Sequence, residues 1–388
     1  MPFPRDGVVD PAPLYRTLRA TTPITRVRTV AGEVAWLVTG YAEAVALLTD
    51  LRLSRSRPQA EQAANSGAAL LGAPVADNTT EMEQHEQMRR LLNPAFSARR
   101  MRAMRTHVAE IVDDLLVKVE GHGAPADLHE MLSFPLPVLI ICELLGVPYG
   151  DRDMFCGWSD AMASLVDRAA AGAALQEFQS YLHVLIGQKR EVPGSDVISD
   201  LIAAQPVEGY GDDDIAEVGA AFLFVGHEAT VSRIDYGILL LADNVDQRDR
   251  LRADPSLVDG AVEEILRMAA PGGSGGLPCF ANSDIQIGGV HIRGGDAVLI
   301  DGAATNRDPA VFAEPDTFQI TRTPNPHLTF GHGARYCIGA SLARVQLQEV
   351  FLALPRRLPE LRLAVPLAEL RLRDDRLTGG FTGLPVTW

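Results

Sequence analysis

Helix-period spacing of apolar residues governs most of this chain, interrupted by a few short stretches in which hydrophobic and polar residues alternate. The longest helical pattern runs from Asp212 to Asp243, which at 1.5 Å per residue predicts a rod about 48 Å long. Its middle, Ala220 to Gly226, is apolar on every side, as expected of a helix packed among other helices and a cofactor. Further helices are predicted from Pro255 to Met268, ahead of the Gly/Pro-rich stretch Pro271 to Pro278, and from Ala340 to Leu354. Strand-like segments are short: Glu33 to Thr39, Asp284 to Ile287 and Ala297 to Ile300. The pattern predicts a mainly α protein with small β-sheets. No repeat, low-complexity linker or abrupt composition shift divides it, which predicts one domain over residues 1–388.

Composition narrows the setting. With 47% hydrophobic residues the chain has material for a core that can bury a large cofactor. No stretch approaches the ~18 uninterrupted apolar residues of a membrane span, and Met1 to Ala20 carries charges and prolines where a signal peptide would be apolar. A cytoplasmic location is expected. Cys142, Cys156, Cys279 and Cys337 are widely spaced, without the close pairs of a zinc ribbon or the density of a disulfide framework. A net charge of −15 argues against nucleic acid or an anionic membrane as partner. Against that background Arg89, Arg90, Arg99, Arg100, Arg102 and Arg105 form a local basic cluster, either a solvated face or a docking patch for an acidic protein.

The decisive segment is Phe330-Gly331-His332-Gly333-Ala334-Arg335-Tyr336-Cys337-Ile338-Gly339. A lone cysteine is usually a small buried side chain. Here glycines thin the backbone on both sides of it, so a flat macrocycle could approach, and the helix-forming run from Ala340 would set its partially positive N-terminus near the sulfur and favour thiolate. This decapeptide resembles the heme-binding loop of the cytochrome P450 family. The resemblance covers essentially the whole chain, from Asp10-Pro11 through Ile141 to Pro148 to the terminal Leu384 to Trp388.

The resemblance implies a triangular helical prism enclosing heme b (iron protoporphyrin IX) between a long central helix and the cysteine loop. Cys337 would be the metal ligand, with Phe330, Gly331 and Gly339 shaping its loop. Glu264 and Arg267 match the family's E-x-x-R motif, in isolation an ordinary surface salt bridge; its implied task is structural, with a partner expected near Asn306 and Arg307. His85 and Arg89, one turn apart, match a pair that holds a heme propionate, and His327 and Arg335 fall at further propionate positions. Where many relatives have a propionate-binding arginine this chain has Cys279, so one propionate must be held by fewer bonds, by water or by an arginine from elsewhere.

Val225-Gly226-His227-Glu228-Ala229-Thr230 is similar to the family's oxygen-activation motif. Gly226 would permit a groove beside the iron, and Glu228 matches the acid expected in proton delivery. Ala229 stands where a hydroxyl residue is usual, and Thr230 is rotated by about 100°. Three readings stay open: a substrate hydroxyl or water replaces the group, helix distortion brings Thr230 into reach, or the reaction depends less on that relay. Phe224, Val225, Ala229, Leu277 and Phe381 are expected in a substrate pocket. The implied activity is a heme-thiolate monooxygenase fed by a ferredoxin and an NAD(P)H-dependent ferredoxin reductase. It would hydroxylate or epoxidise a mid-sized small molecule, a macrolide or other polyketide, a terpenoid or a peptide, in antibiotic biosynthesis. Oxidative cyclisation or coupling without net oxygen insertion is the alternative reaction, and a non-catalytic heme sensor the alternative of another kind.

Overall fold

The structure, a computed structural model, describes residues 3–29, 32–55, 78–162, 167–270, 278–373 and 379–388. Its α-helices are α1 (Leu14–Thr21), α2 (Tyr41–Thr49), α3 (Asn78–Leu92), α4 (Ala98–His122), α5 (Pro135–Leu145), α6 (Arg152–Met162), α7 (Arg168–Glu191), α8 (Val197–Glu208), α9 (Asp212–Asp243), α10 (Val245–Ala253), α11 (Val258–Met268), α12 (Gly302–Thr305) and α13 (Ala340–Arg357). The central helix has the predicted bounds. The helix predicted from Pro255 divides into a 3₁₀ turn, Pro255–Leu257, and α11, because a proline-led turn capped by Asp254 precedes the α-helical hydrogen bonding. One of the few non-α helical segments, His129–Ser133, is a π-helical turn closed by a bond from Phe134 N to His129 O at 2.8 Å.

Residues group into two compact units, each assembled from separated stretches of chain. One contains Met1–Gln87, Tyr236–Cys337 and Pro366–Asp374. It is built on a five-stranded sheet in the order β1 (Ile24–Arg28), β2 (Val34–Val38), β8 (Ala297–Ile300), β5 (Cys279–Ala281), β3 (Leu53–Ser54). The β2–β8 pair is parallel and the others antiparallel. Trp36, Val38 and Val298 bury one face against α2, while Ala35, Leu37 and Leu299 bury the other against Tyr15 and Ala304, so β2 reads as a continuous apolar run. The hairpin β6 (Ile285–Ile287) to β7 (Val290–Ile292) belongs to the same unit.

The other unit contains Met88–Asp235, Ile338–Val365 and Asp375–Trp388. It is a helical assembly in which α4 packs along α13, α5 on α6, and α6 on α7. Arg105 reaches from α4 to Glu349 and Gln348 on α13, and a small sheet joins β4 (Ala126–Asp127), β10 (Pro385–Thr387) and β9 (Arg362–Leu363). Among the described residues no helix is long and apolar enough to cross a membrane.

Candidate active site

The cysteine loop is shaped by its glycines. Gly331 and Gly333 adopt positive φ of 74° and 70°, and a Cβ on Gly333 would lie 3.1 Å from the Leu48 carbonyl oxygen, so that position has neither the conformation nor the space for a side chain. The loop closes on itself through Cys337 N to Phe330 O at 2.8 Å and Tyr336 N to Gly333 O at 3.1 Å. Arg335 Nη1 donates to Leu53 O at 2.9 Å and ties the loop to β3. Cys337 is exposed at its end, in no disulfide and three residues before α13; Gly339 is the residue from which that helix starts.

Behind the loop lies a buried ionic lock. Arg267 makes a bidentate pair with Glu264, 2.8 Å on each arm, and both side chains are fully buried. The second arginine on Glu264 is Arg322, 3.1 Å from both carboxylate oxygens, which sequence reasoning missed. The partner expected from the region of Asn306 and Arg307 is Asn306, whose carbonyl oxygen accepts from Arg267 at 3.0 Å, while Arg307 pairs with Asp316 at 3.0 Å and Asp10 at 3.4 Å. The side chain of Asn306 then reaches the approach to the loop: its Oδ1 accepts from Leu328 N at 2.7 Å and its Nδ2 donates to Thr329 Oγ1 at 3.0 Å. A route of hydrogen bonds thus runs from the Glu264–Arg267 pair to the residue before Phe330. Burial alone would push the Glu264 carboxyl up, but the bonds and charges of Arg267, Gln319 N and Arg322 outweigh it and hold the carboxyl below its ordinary range.

His327 Nε2 pairs with Glu263 at 3.0 Å and its Nδ1 accepts from Thr329 N at 3.3 Å. His85 and Arg89 are half-buried one turn apart on α3, the spacing a shared anion requires. Cys279 is a buried member of β5, paired with Val298 across the sheet.

The motif on α9 is regular helix throughout Gly226 to Thr230. The bare side of Gly226 is occupied by α5: a Cβ there would meet Ile141 Cδ1 at 2.8 Å. Gly226 therefore serves close helix packing on that side. Thr230 is buried, and its hydroxyl donates to Gly226 O at 3.1 Å, the back-bond of a threonine in an undistorted helix; the distortion that would free it is not present. Glu228 and Ala229 are half-buried. Phe224 and Val225 lie within α9, with side chains outside the described residues, as is Leu277 altogether. Phe381 has no accessible surface, so it belongs to the packing of its own unit and not to a pocket wall.

Of the basic cluster, Arg100 is taken by Asp200 at 2.7 Å and Arg105 by Glu349. Arg90, Arg99 and Arg102 are exposed.

An outward cysteine on a glycine-thinned loop, braced from behind by a buried Glu–Arg lock, fits an axial thiolate and a flat macrocycle, and defines a heme-thiolate protein. Comparison with known proteins agrees. A family model described as Cytochrome P450 matches residues 171–381. Pentalenolactone synthase of Streptomyces exfoliatus is 45% identical over 394 residues, covering 100% of this chain and 98% of that one. The substrate-free structure of cytochrome P450 PimD, a polyene macrolide antibiotic pimaricin epoxidase, superposes with a TM-score of 0.90 at 41% identity, covering 98% of this chain and 97% of that one. The putative thioether synthase SgvP, from the tailoring step of griseoviridin, gives 0.89 at 37% identity, covering 100% and 99%. The chain belongs to the cytochrome P450 family; it is a monooxygenase that binds heme b.

The lock makes a stability prediction. A carboxyl held below its ordinary value contributes fully above about pH 4.3 and loses that contribution as pH falls through its folded value. Glu264→Gln leaves Arg267 and Arg322 buried without a counter-charge and should cost about 3–5 kcal/mol in urea unfolding at neutral pH. The gap to wild type should narrow in acid; a gap independent of pH would show that the carboxylate charge is not what the lock uses.

Proposed function

We propose that this protein hydroxylates or epoxidises a mid-sized secondary metabolite, of polyketide, terpenoid or peptide type, as a single cytoplasmic catalytic domain supplied with electrons by a ferredoxin and its NAD(P)H-dependent reductase. The observation that carries the reading is the exposed Cys337 at the end of a loop fixed through Asn306. The substrate class rests on whole-chain similarity to tailoring enzymes of antibiotic pathways.

Heme, when bound, supplies the activation of dioxygen and the bond-making chemistry. The protein's tasks are the rest. Cys337 supplies the thiolate, and the loop's hydrogen bonds keep its backbone in place. His85, Arg89 and Arg335 offer cationic or N–H partners for propionates. Glu228 supplies protons, a contribution typically worth roughly 10²–10⁴-fold in rate. Since Ala229 carries no hydroxyl and the Thr230 hydroxyl donates to its own helix, the group beside the reacting oxygen is a substrate hydroxyl or water. The same vacancy of side chain, with similarity to a putative thioether synthase, supports a second reading in which two parts of the substrate are joined without oxygen insertion. Screening secondary metabolites by the shift of heme absorption, followed by product mass, separates the two: one added oxygen supports insertion, and loss of hydrogen alone supports coupling.

Cys337→Ser should abolish the reduced-CO band characteristic of thiolate ligation; the band persisting at full heme content would remove Cys337 from the role. For electron supply, exposed Arg99 and Arg102 on α4 are the residues to reverse, since Arg100 is already paired. Changing both to Glu should raise the apparent KM for ferredoxin about 10-fold at low ionic strength and flatten its salt dependence. Unchanged kinetics would make them ordinary solvated arginines.

A further inference from the structure

The helix that carries Glu228 has a buried polar face that packing alone does not call for. Glu228, Ser232 and Asp235 lie at i, i+4 and i+7 on α9 and share one side of it. Ser232 and Asp235 are both buried, Asp235 completely. The π-helical turn His129–Ser133 runs along this side in the opposite direction, and two contacts fix its register. His129 Nδ1 meets Asp235 Oδ2 at 2.8 Å, and Phe134 O meets His227 Nε2 at 3.2 Å. Ser133 therefore lies opposite the stretch of α9 between Glu228 and Ser232.

At one end of this seam, His227 Nε2 donates to Phe134 O, since a carbonyl can only accept, and Nδ1 lies 2.6 Å from Ser159 Oγ. Ser232 Oγ accepts from Arg233 Nη1 at 3.0 Å, but two further polar atoms of the seam are less well provided. Asp235 Oδ1 and Ser133 Oγ are both buried and meet no hydrogen-bond partner among the described residues. A buried carboxylate oxygen left so is costly, and a site with two such polar atoms on facing elements is polar enough to hold water. Neighbours one turn apart on a helix are about 5–6 Å apart, which one water with two hydrogen bonds of about 2.8 Å spans.

We propose that this seam holds ordered water and carries protons along α9 from His129 and Asp235, past Ser133 and Ser232, to Glu228. The proposal rests on the reading above that Glu228 delivers protons. Each proton that Glu228 gives up is replaced through water and the Ser232 hydroxyl, which takes one from water beside Asp235; that water takes one from Asp235, and Asp235 takes one from the His129 ring, which recovers its own from solvent. Only O–H and N–H bonds are made and broken, and nothing is oxidised or reduced. The π-helical turn contributes by setting Ser133 and His129 on the side facing α9.

The test has two arms on the heme-loaded protein. In a high-resolution crystal structure, ordered waters should lie along the seam, one within hydrogen-bond distance of Asp235 Oδ1 and one within hydrogen-bond distance of Ser133 Oγ; a dry seam overturns the proposal whatever the activity. In turnover, Asp235→Asn keeps shape and loses the proton carrier. It should lower product formed per NADPH about 10-fold, raise released hydrogen peroxide and enlarge the solvent isotope effect, with an unchanged substrate-induced absorption shift. Ser133→Ala should do the same to a smaller degree and keeps the test open if Asp235→Asn fails to fold. A merely structural pair would lower the melting temperature and leave product per NADPH as in wild type, which also overturns it. Absence of any oxygenated product from wild type would count against the monooxygenase reading alone, since the crystallographic arm is independent of turnover.

Discussion

The interaction on which the site depends is the buried pairing of Glu264 with Arg267 and Arg322. Ion pairs in the interior are weak sources of net stability, because desolvation consumes most of the attraction. What such a pair does well is fix geometry, since a bidentate guanidinium tolerates little misalignment. Here the geometry is passed on: Arg267 holds the carbonyl of Asn306, and the Asn306 side chain holds Leu328 and Thr329 just ahead of the cysteine loop. Rigid support of this sort is what a thiolate ligand needs, because its reactivity depends on where its sulfur is kept.

A second theme is the polarity of α9. The helix is apolar enough to be central, yet it buries His227, Thr230, Ser232 and Asp235. Thr230 spends its hydroxyl on its own backbone, and His227 is committed to Ser159 and Phe134. Ser232 and Asp235 remain in register with Glu228, and Asp235 meets His129 of the π-helical turn.

The sequence made the main chemistry legible because that chemistry is local. A cysteine among glycines and a glutamate and arginine three apart announce themselves at fixed spacing. The bounds of α9 and of β8 followed from period alone. What remained hidden depended on pairing across distance. Arg322 was not seen as a partner of Glu264, because which arginine folds back on a buried carboxylate is decided by the course of the intervening chain. The pairing of His327 with Glu263 was hidden for the same reason, Glu263 being invisible from the loop. Phe381 looked like a pocket residue by position, but burial in a packed unit is not encoded in its neighbours. The seam between His129 and Asp235 had no motif at all; its only trace in the sequence was polar residues spaced at i, i+4 and i+7 on an apolar helix.

The most direct test of this account is the reduced-CO spectrum of Asn306→Ala carrying a full complement of heme. Asn306 touches neither the cysteine nor, by its bonds, anything but the support beneath the loop. If the buried lock exists to hold the thiolate, the variant should keep wild-type helicity by circular dichroism while much of its thiolate band is replaced by that of a protonated or displaced sulfur. A full thiolate band in a folded variant would contradict the claim that Glu264 and Arg267 act on the ligand through Asn306.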